Sequence, residues 1–340
     1  MTPLRVVFFG SPAFAVPSLR AVAAETNLVA VVSQPDRPAG RGQEPAAPAV
    51  KVAAAALGVP VIQPEKVRTP ETLAALAAFK ADLFVVVAYG RILPQALLDL
   101  PRLGPYNVHA SLLPRLRGAA PIQWAIIRGD TEAGVSIMRM EAGLDTGPVA
   151  ATRALPIGDD DTAGTLSGKL ADLGAGLLTE TLPAIAGGRV TLARQDDAAA
   201  TLAPILTKAD GHLSFDKPAR LVSAHARGVD PWPGASAIIM GTLEGSPNPP
   251  ATGLAGRSPA ATHAKLDGAP LKLFAPRVVG AVAEPAGRPG EVLGLRPEGL
   301  AVACADGAIA FGELQLPGRR RLPAAAVLTG HRIPPGTVLA

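Results

Sequence analysis

A run of six apolar residues, Leu83-Phe-Val-Val-Val-Ala88, is the feature that most constrains the fold of this chain. A strand with one face in water alternates polar and apolar residues, whereas a strand buried on both faces is apolar throughout. Leu4–Phe9 and Leu28–Val32 have the same character, and Phe14–Ala24 between them has helical spacing of its apolar positions. Two buried strands joined by a helix predict a βαβ unit in a mostly parallel sheet.

The same alternation of strands and helices continues to about residue 190. We therefore predict a doubly wound α/β domain over residues 1–190, with a mostly parallel sheet. No G-x-G-x-x-G pattern follows the first strand, so the sequence does not indicate a nicotinamide cofactor. Residues 191–208 are polar and alanine-rich, and we interpret them as a linker.

Beyond the linker the pattern changes to short strand-like runs separated by turn residues. Five such runs follow a predicted helix at Arg220–Arg227: Ser236–Met240, Pro270–Phe274, Gly290–Leu295, Leu300–Cys304 and Ala308–Leu316. Regularly spaced short strands predict a small OB-like β-barrel domain over residues 209–340. Gly245–Gly268 is a low-complexity insertion, which we expect to be a mobile loop.

Composition excludes several classes of protein. With 340 residues, of which 48% are hydrophobic, the chain can fill two cores. It has no run of about 18 apolar residues and no signal-peptide pattern, so we expect a cytoplasmic protein without membrane contact. We also expect a monomer. Cys304 is the only cysteine and the five histidines are scattered, so neither an internal disulfide nor a metal site is expected.

Three polar residues near predicted strand ends are candidates for catalysis. Asn107 and His109 are two positions apart at the end of an extended run, so their side chains share one face if that run is a strand. An amide can donate to an oxygen that gains charge, and an imidazole can exchange a proton near neutral pH. Asp145 lies between two glycines in a predicted turn. Taken singly, they could be a turn former, a core histidine and a turn cap.

The motifs around these residues resemble those of a known superfamily. The stretch Asn107-Val-His109-Ala-Ser111-Leu112-Leu113-Pro114-Arg115-Leu-Arg117-Gly-Ala-Ala-Pro-Ile-Gln123, together with Gly143-Leu-Asp145-Thr-Gly147, resembles the folate-dependent formyltransferases. Gln34–Gly42, Asp230–Pro233 and Arg332–Leu339 extend the resemblance over nearly the whole chain. They make it similar to the methionyl-tRNA formyltransferase family, although the 245–268 insertion departs from shorter members.

The resemblance implies substrates and residue roles. The formyl donor would be 10-formyltetrahydrofolate, the acceptor would be the α-amino group of methionyl initiator tRNA, and no metal would be needed. Asn107 would bind the developing oxyanion, His109 would take up the amine proton, and Asp145 would orient His109. The folate pocket would include the backbone and apolar side chains of Ser111, Leu112, Leu113 and Pro114.

Positively charged residues are candidates for tRNA contacts. Of the net charge of +4, residues 191–340 carry +3, with 15 basic and 12 acidic residues. Lys208 and the run Arg319-Arg320-Arg321 could bind phosphates or could be solvated surface charges. Arg41, between two glycines in the long Gln34–Pro45 loop, could grip a phosphate by two parallel hydrogen bonds, or could likewise be solvated.

Two other functions remain open at this point. One is a folate-dependent formyltransferase or formyl hydrolase that acts on a small amine, such as a sugar or a purine precursor. The other is an RNA-binding module with an inactive α/β domain. Formylation of Met-tRNA in preference to small amines would separate the first alternative, and release of formyl from the folate would separate the second.

Overall fold

The computed structural model describes residues 4–39, 44–242, 266–279, 287–331 and 333–340. Their contacts divide the chain into two compact units. The first consists of Met1–Ile122, Glu132–Pro156 and Thr165–Ile205, and the second of Gln123–Thr131, Ile157–Gly164 and Leu206–Ala340. Two short segments from the first half of the chain therefore pack with the second unit, and most of the residues interpreted as a linker pack with the first.

The first unit is built on one large sheet and a small hairpin. Its strands are β1 (Arg5–Gly10), β2 (Asn27–Val32), β3 (Arg37–Ala39), β4 (Glu44–Ala46), β5 (Val61–Ile62), β6 (Leu83–Val87), β7 (Pro105–His109), β8 (Glu132–Arg139) and β9 (Val149–Pro156). The large sheet has the order β5-β2-β1-β6-β7-β8-β9. Its first five strands are parallel, whereas β8 and β9 are antiparallel to their neighbours. The predicted α/β class with a mostly parallel sheet is confirmed.

Helices alternate with these strands along the chain, at places that the sequence indicated. Those of the first unit are α1 (Val16–Glu25), α2 (Ala49–Ala56), α3 (Pro70–Ala77), α4 (Gln95–Leu98) and nearly all of α6 (Ala163–Ala186), whereas most of α5 (Pro121–Ile127) belongs to the second unit. In the core, the ring of Phe9 lies 5.0 Å from that of Phe84 and 5.5 Å from that of Tyr89. None of the helices in the described part of the chain is long and apolar enough to span a membrane.

Helix α6 packs closely against the face of β7 that carries Val108, so a ligand could contact only the opposite face. A Cβ atom added to Gly174 of α6 would lie 2.8 Å from Cγ1 of Val108, so the two backbones approach closely. Because side chains alternate along a strand, Asn107 and His109 point away from α6.

The Gln34–Pro45 segment differs from the structureless loop expected from its prolines and glycines. Strands β3 and β4 pair with each other, with Arg37 opposite Ala46. The hairpin is anchored at its base, because the Asp36 carboxylate accepts hydrogen bonds of 2.7 Å from both Lys51 and Gln63. These contacts, of which the Gln63 hydrogen bond is the largest cause, lower the pKa of Asp36. Both strands of a two-stranded sheet are edge strands, which tolerate proline. The prolines of this segment were therefore compatible with strands, although they had suggested a loop.

The second unit contains a curled antiparallel sheet. Its elements are α7 (Ala219–Gly228), β10 (Ser236–Thr242), β11 (Pro270–Val279), β12 (Val292–Arg296), β13 (Gly299–Cys304), β14 (Gly307–Gln315), β15 (Leu322–Pro323), α8 (Ala324–Gly330) and β16 (Thr337–Leu339). The strand order is β12-β13-β14-β11-β10-β16, with β15 beside β14. The two ends of this order meet, because the backbone N–H of Leu339 donates to the carbonyl of Gly290 at 2.8 Å.

This closure confirms the prediction of a small OB-like barrel in the second half of the chain. The sequence missed β15, α8 and β16, which have only two, seven and three residues. Residues 243–265, which make up most of the predicted insertion, lie outside the described residues, so only Leu266–Gly268 of it can be placed.

Candidate active site

Strand β7 carries two of the predicted site residues at its carboxyl end. Asn107 is paired with Val86 of β6 on one side and with Met138 of β8 on the other, and His109 is paired with Ser136 of β8. The strand therefore includes both residues, which places them on one face as expected. His109 is buried, with 6% of its surface exposed, whereas Asn107 is half-buried.

The imidazole of His109 is held between a carbonyl and a carboxylate. Its Nε2 lies 3.0 Å from the backbone carbonyl oxygen of Leu116. A carbonyl only accepts hydrogen bonds, so Nε2 carries a hydrogen and Nδ1 is the nitrogen that can take up a proton. Nδ1 lies 3.7 Å from Oδ2 of Asp145, so a proton gained there would face a negative charge. This arrangement suits a general base supported by an acid.

Asp145 lies near a predicted strand end, as expected, but the end of its strand is not beside His109. Because β8 is antiparallel to β7, the carboxyl end of β8 at Arg139 lies beside Tyr106 and not beside His109. The loop after β8 therefore folds back, and Asp145 adopts a left-handed backbone conformation with φ of 51°. Its Oδ2 accepts a hydrogen bond of 2.8 Å from the backbone N–H of Gly118.

A buried polar pair that the sequence did not reveal supports this loop. The side-chain nitrogen of Gln195 donates to the carbonyls of Asp145 and Gly147, at 2.8 and 2.7 Å. Its oxygen accepts from Nε and Nη2 of Arg117, at 3.1 and 2.9 Å. Gln195 lies in the segment interpreted as a linker. Neither residue belongs to a periodic pattern, and the two are 78 positions apart, so no local signal links them.

The four residues predicted to contact folate form a tight segment directly after β7. The hydroxyl of Ser111 donates to the carbonyl of Arg115 at 2.6 Å, and the hydroxyl of buried Ser136 bridges the carbonyl of Ser111 and the N–H of Leu113. Leu112 packs against Gly134 of β8, and the peptide bond before Pro114 is cis. These hydrogen bonds hold the backbone of the segment in place beside the end of β7.

The residues predicted to contact tRNA have different surroundings. Arg41 lies outside the described residues. In the second unit, Lys208 is exposed at the start of a short 3-10 helix, Ala209–Gly211, and both Arg319 and Arg320 are exposed. Arg321 is engaged by acidic neighbours: its guanidinium pairs with Glu313 and lies 3.5 Å from Oδ2 of Asp230. It also lies 4.1 Å from the ring centre of Phe274.

A cavity of about 380 Å³ lies elsewhere in the first unit. Its lining consists of residues at the base of the β3–β4 hairpin and one glycine: Gln34, Pro35, Arg37, Pro38, Ala46, Pro48 and Gly90. The side chain of Gln34 spans this region, because it donates to the carbonyl of Tyr89 at 3.0 Å and accepts from Arg91 at 2.9 Å. Within the described residues, no three His, Cys, Asp or Glu side chains are grouped as metal ligands would be.

Comparison with protein families assigns both halves of the chain. Residues 4–182 match the formyl transferase family, and residues 205–244 and 251–332 match the formyl transferase C-terminal domain. Among solved structures, HypX from Aquifex aeolicus in complex with tetrahydrofolic acid has a TM-score of 0.60 at 19% identity, covering 96% of this chain and 47% of that one. WlaRD, a sugar 3N-formyl transferase, has a TM-score of 0.60 at 14% identity, covering 94% of this chain and all of that one. These likenesses show a shared fold.

Sequence relatives are much more similar. The methionyl-tRNA formyltransferase of Geobacter sulfurreducens is 45% identical over 340 residues, which cover all of this chain and 98% of the relative. That of Sorangium cellulosum is 45% identical over 336 residues, which cover 99% of each. Identity of this level over the full length, with both family domains matched, shows that this chain belongs to the methionyl-tRNA formyltransferase family.

Proposed function

We propose that this protein transfers the formyl group of 10-formyltetrahydrofolate to the α-amino group of methionyl initiator tRNA. The observation that carries the proposal is the identity of 45% with a methionyl-tRNA formyltransferase over the full length of this chain. The sugar formyl transferase has the same fold but is only 14% identical. A small-amine substrate is therefore the weaker alternative.

The proposed reaction uses the three residues in distinct steps. The neutral amine attacks the formyl carbon, a C–N bond forms, and the formyl oxygen gains negative charge. The Asn107 amide donates a hydrogen bond to that oxygen, which lowers the barrier because the charge is largest in the transition state.

Proton transfer completes the exchange. His109 Nδ1 accepts the proton that the attacking amine loses, and the Asp145 carboxylate 3.7 Å away stabilises the resulting imidazolium. The proton then passes to the donor nitrogen as its bond to the formyl carbon breaks. The Nε2 contact with Leu116 keeps the ring oriented throughout, since it uses the nitrogen that does not react.

We assign the two substrates to different residues. We place the folate against the backbone groups and apolar side chains of the segment from Ser111 to Pro114. We place the tRNA phosphates on Arg41 and on the exposed Lys208. A guanidinium can hold a phosphate through two parallel hydrogen bonds, whereas an ammonium acts as a point charge.

A formyl-transfer assay tests the proposal. Purified protein, the formyl folate and charged initiator tRNA should yield formyl-methionyl-tRNA, and His109→Ala should lower kcat by about 10²–10⁴-fold with little change in tRNA affinity. His212→Ala, which removes an exposed histidine, is the matched control and should retain activity. Transfer to small amines in preference to tRNA, or tRNA binding without release of formyl, would favour the alternatives.

A further inference from the structure

The side chain of Gln195 is fully used by its neighbours. Its two N–H groups are taken by the carbonyls of Asp145 and Gly147, and both acceptor sites of its oxygen are taken by Arg117. Turning the amide over would set its oxygen against two carbonyl oxygens and its NH₂ group against a guanidinium. The orientation is therefore fixed by chemistry, and four hydrogen bonds hold one side chain that is 8% exposed.

The guanidinium of Arg117 is bound by this amide and by one carboxylate. Arg117 is 7% exposed. Its acidic partner Asp197, 2.8 Å from Nη2, is 73% exposed and thus screened by solvent. Burying a charged group is unfavourable unless it is hydrogen-bonded, and Gln195 supplies two of the bonds inside the unit.

The two carbonyls that Gln195 binds belong to the loop that brings Asp145 to His109. Asp145 has a left-handed backbone, which is unfavourable for a residue with a Cβ atom unless its surroundings hold it there. Gln195 binds the carbonyl of Asp145, and the N–H of Gly118 binds its carboxylate. The residue is thus fixed at both its main chain and its side chain.

We propose that Gln195, oriented by Arg117, is a positioning residue that holds the Asp145 carboxylate in place beside His109. This inference rests on the proposed function, because it assigns Gln195 a part in the same proton transfer. Gln195 acts through Asp145 and does not touch the substrates. Its loss therefore lowers turnover and leaves the binding of folate and tRNA nearly unchanged.

The test is Gln195→Glu, a substitution of nearly the same shape. A glutamate still accepts both hydrogen bonds from Arg117, but it has no N–H for the two carbonyls and repels them. Displacement of a catalytic group by about 1 Å can cost about 10²-fold in rate, so we expect kcat to fall by about that factor with both KM values within about twofold of wild type. Gln195→Met, which removes the donors without repulsion, is the second variant should the first fail to fold. Asp197→Ala, which removes the exposed partner of Arg117, should retain nearly normal kcat.

A double-mutant cycle separates positioning from general damage to the fold. In an Asp145→Ala background, Gln195→Glu should change kcat by less than about threefold, because the group that it positions is gone. Equal losses in both backgrounds, or a normal kcat in Gln195→Glu, would overturn the proposal.

Failure of the proposed function has a different signature, namely a wild-type protein that does not formylate Met-tRNA. The crystal structure of Gln195→Glu then decides the matter on geometry. An Asp145 carboxylate that stays at 2.8 Å from the N–H of Gly118, as in the unsubstituted protein, contradicts positioning by Gln195, and a displaced carboxylate supports it.

Discussion

At the scale of single residues, Asn107 and His109 divide the work of the proposed reaction. The amide can only stabilise charge, since it does not titrate, and the imidazole can move a proton. Because both side chains lie on one face of β7, one bound substrate could meet both of them. Asn107 is less buried than His109, whose ring is enclosed by Leu116 and Asp145.

Replacement of Asn107 tests its role as the oxyanion donor. A donor of this kind contributes about 3–4 kcal/mol to transition-state stabilisation, so Asn107→Ala should lower kcat a few hundredfold. KM for both substrates should change little, because the charge develops only in the transition state. Steady-state kinetics on initiator tRNA measure this, with urea unfolding to show that the fold is retained. A variant with more than a tenth of wild-type kcat would remove Asn107 from this role.

Sequence reasoning reached the residues that have local signals. Alternation along a strand predicted that Asn107 and His109 share a face, and paired glycines predicted the turn around Asp145. Gln195 and Arg117 could not be found in this way. Their importance depends on hydrogen bonds between segments 78 positions apart. The sequence around a single glutamine or a single arginine does not predict such a bond.

At the scale of elements, α6 determines how firmly β7 is held. Gly174 faces Val108 at a distance too short for a side chain, whereas Gly176, two positions on, is exposed, and a Cβ atom added there would meet nothing within 4 Å. The two glycines share one helix and differ only in the face that they occupy. They therefore separate packing from helix propensity.

Substitution of each glycine by alanine should have opposite effects on stability. Gly176→Ala should raise the free energy of unfolding by up to about 1 kcal/mol, because alanine is the better helix former. Gly174→Ala gains the same propensity but overpacks Val108, which costs about 1–3 kcal/mol and should give a net loss. Urea unfolding of both variants measures the difference. A Gly174→Ala protein as stable as Gly176→Ala would show that α6 can shift away from β7 at no cost.

Prediction of the strands failed where the apolar pattern was weak, and it could not give the direction of a strand in the sheet. Continuous apolar runs gave β1, β2 and β6, because such runs are buried on both faces. Strand β9 was missed, since it lies at the edge of the sheet and its half-buried positions include Arg153, so it has no apolar run. The antiparallel direction of β8 was also not predictable, because side-chain alternation is the same in either direction.

At the scale of the whole molecule, charge separates the two halves of the chain. Residues 191–340 carry +3 of the net +4, and Lys208, Arg319 and Arg320 are exposed there. Arg321, next in sequence, is engaged by Glu313, Asp230 and Phe274. The fold class of both halves followed from the sequence. The packing of Gln123–Thr131 and Ile157–Gly164 with the second unit did not, because it depends on long-range contacts.

The exposed cations give a prediction about ionic strength. A protein that binds a phosphate through a lysine or arginine displaces a counterion, so each bound phosphate adds about 1 to the slope of log affinity against log salt. The triple variant of Lys208→Gln, Arg319→Gln and Arg320→Gln should therefore bind initiator tRNA more weakly and with a slope smaller by about 1 for each phosphate that is no longer bound. Slow hydrolysis of the formyl folate should not change, since it needs no tRNA. Affinities measured between about 0.05 and 0.2 M salt give the slope.

Arg321→Gln is the matched control for these charges. It removes the same unit of charge as Arg320→Gln from the adjacent position, but its guanidinium is already paired within the protein. Its replacement should lower the stability of the second unit, because an ion pair and the packing on the ring of Phe274 disappear, and should leave the salt slope unchanged. A triple variant with the wild-type slope would identify the three exposed cations as solvated charges. A change of slope in Arg321→Gln as large as in Arg320→Gln would mean that net charge, and not direct binding of phosphates, governs the affinity for tRNA.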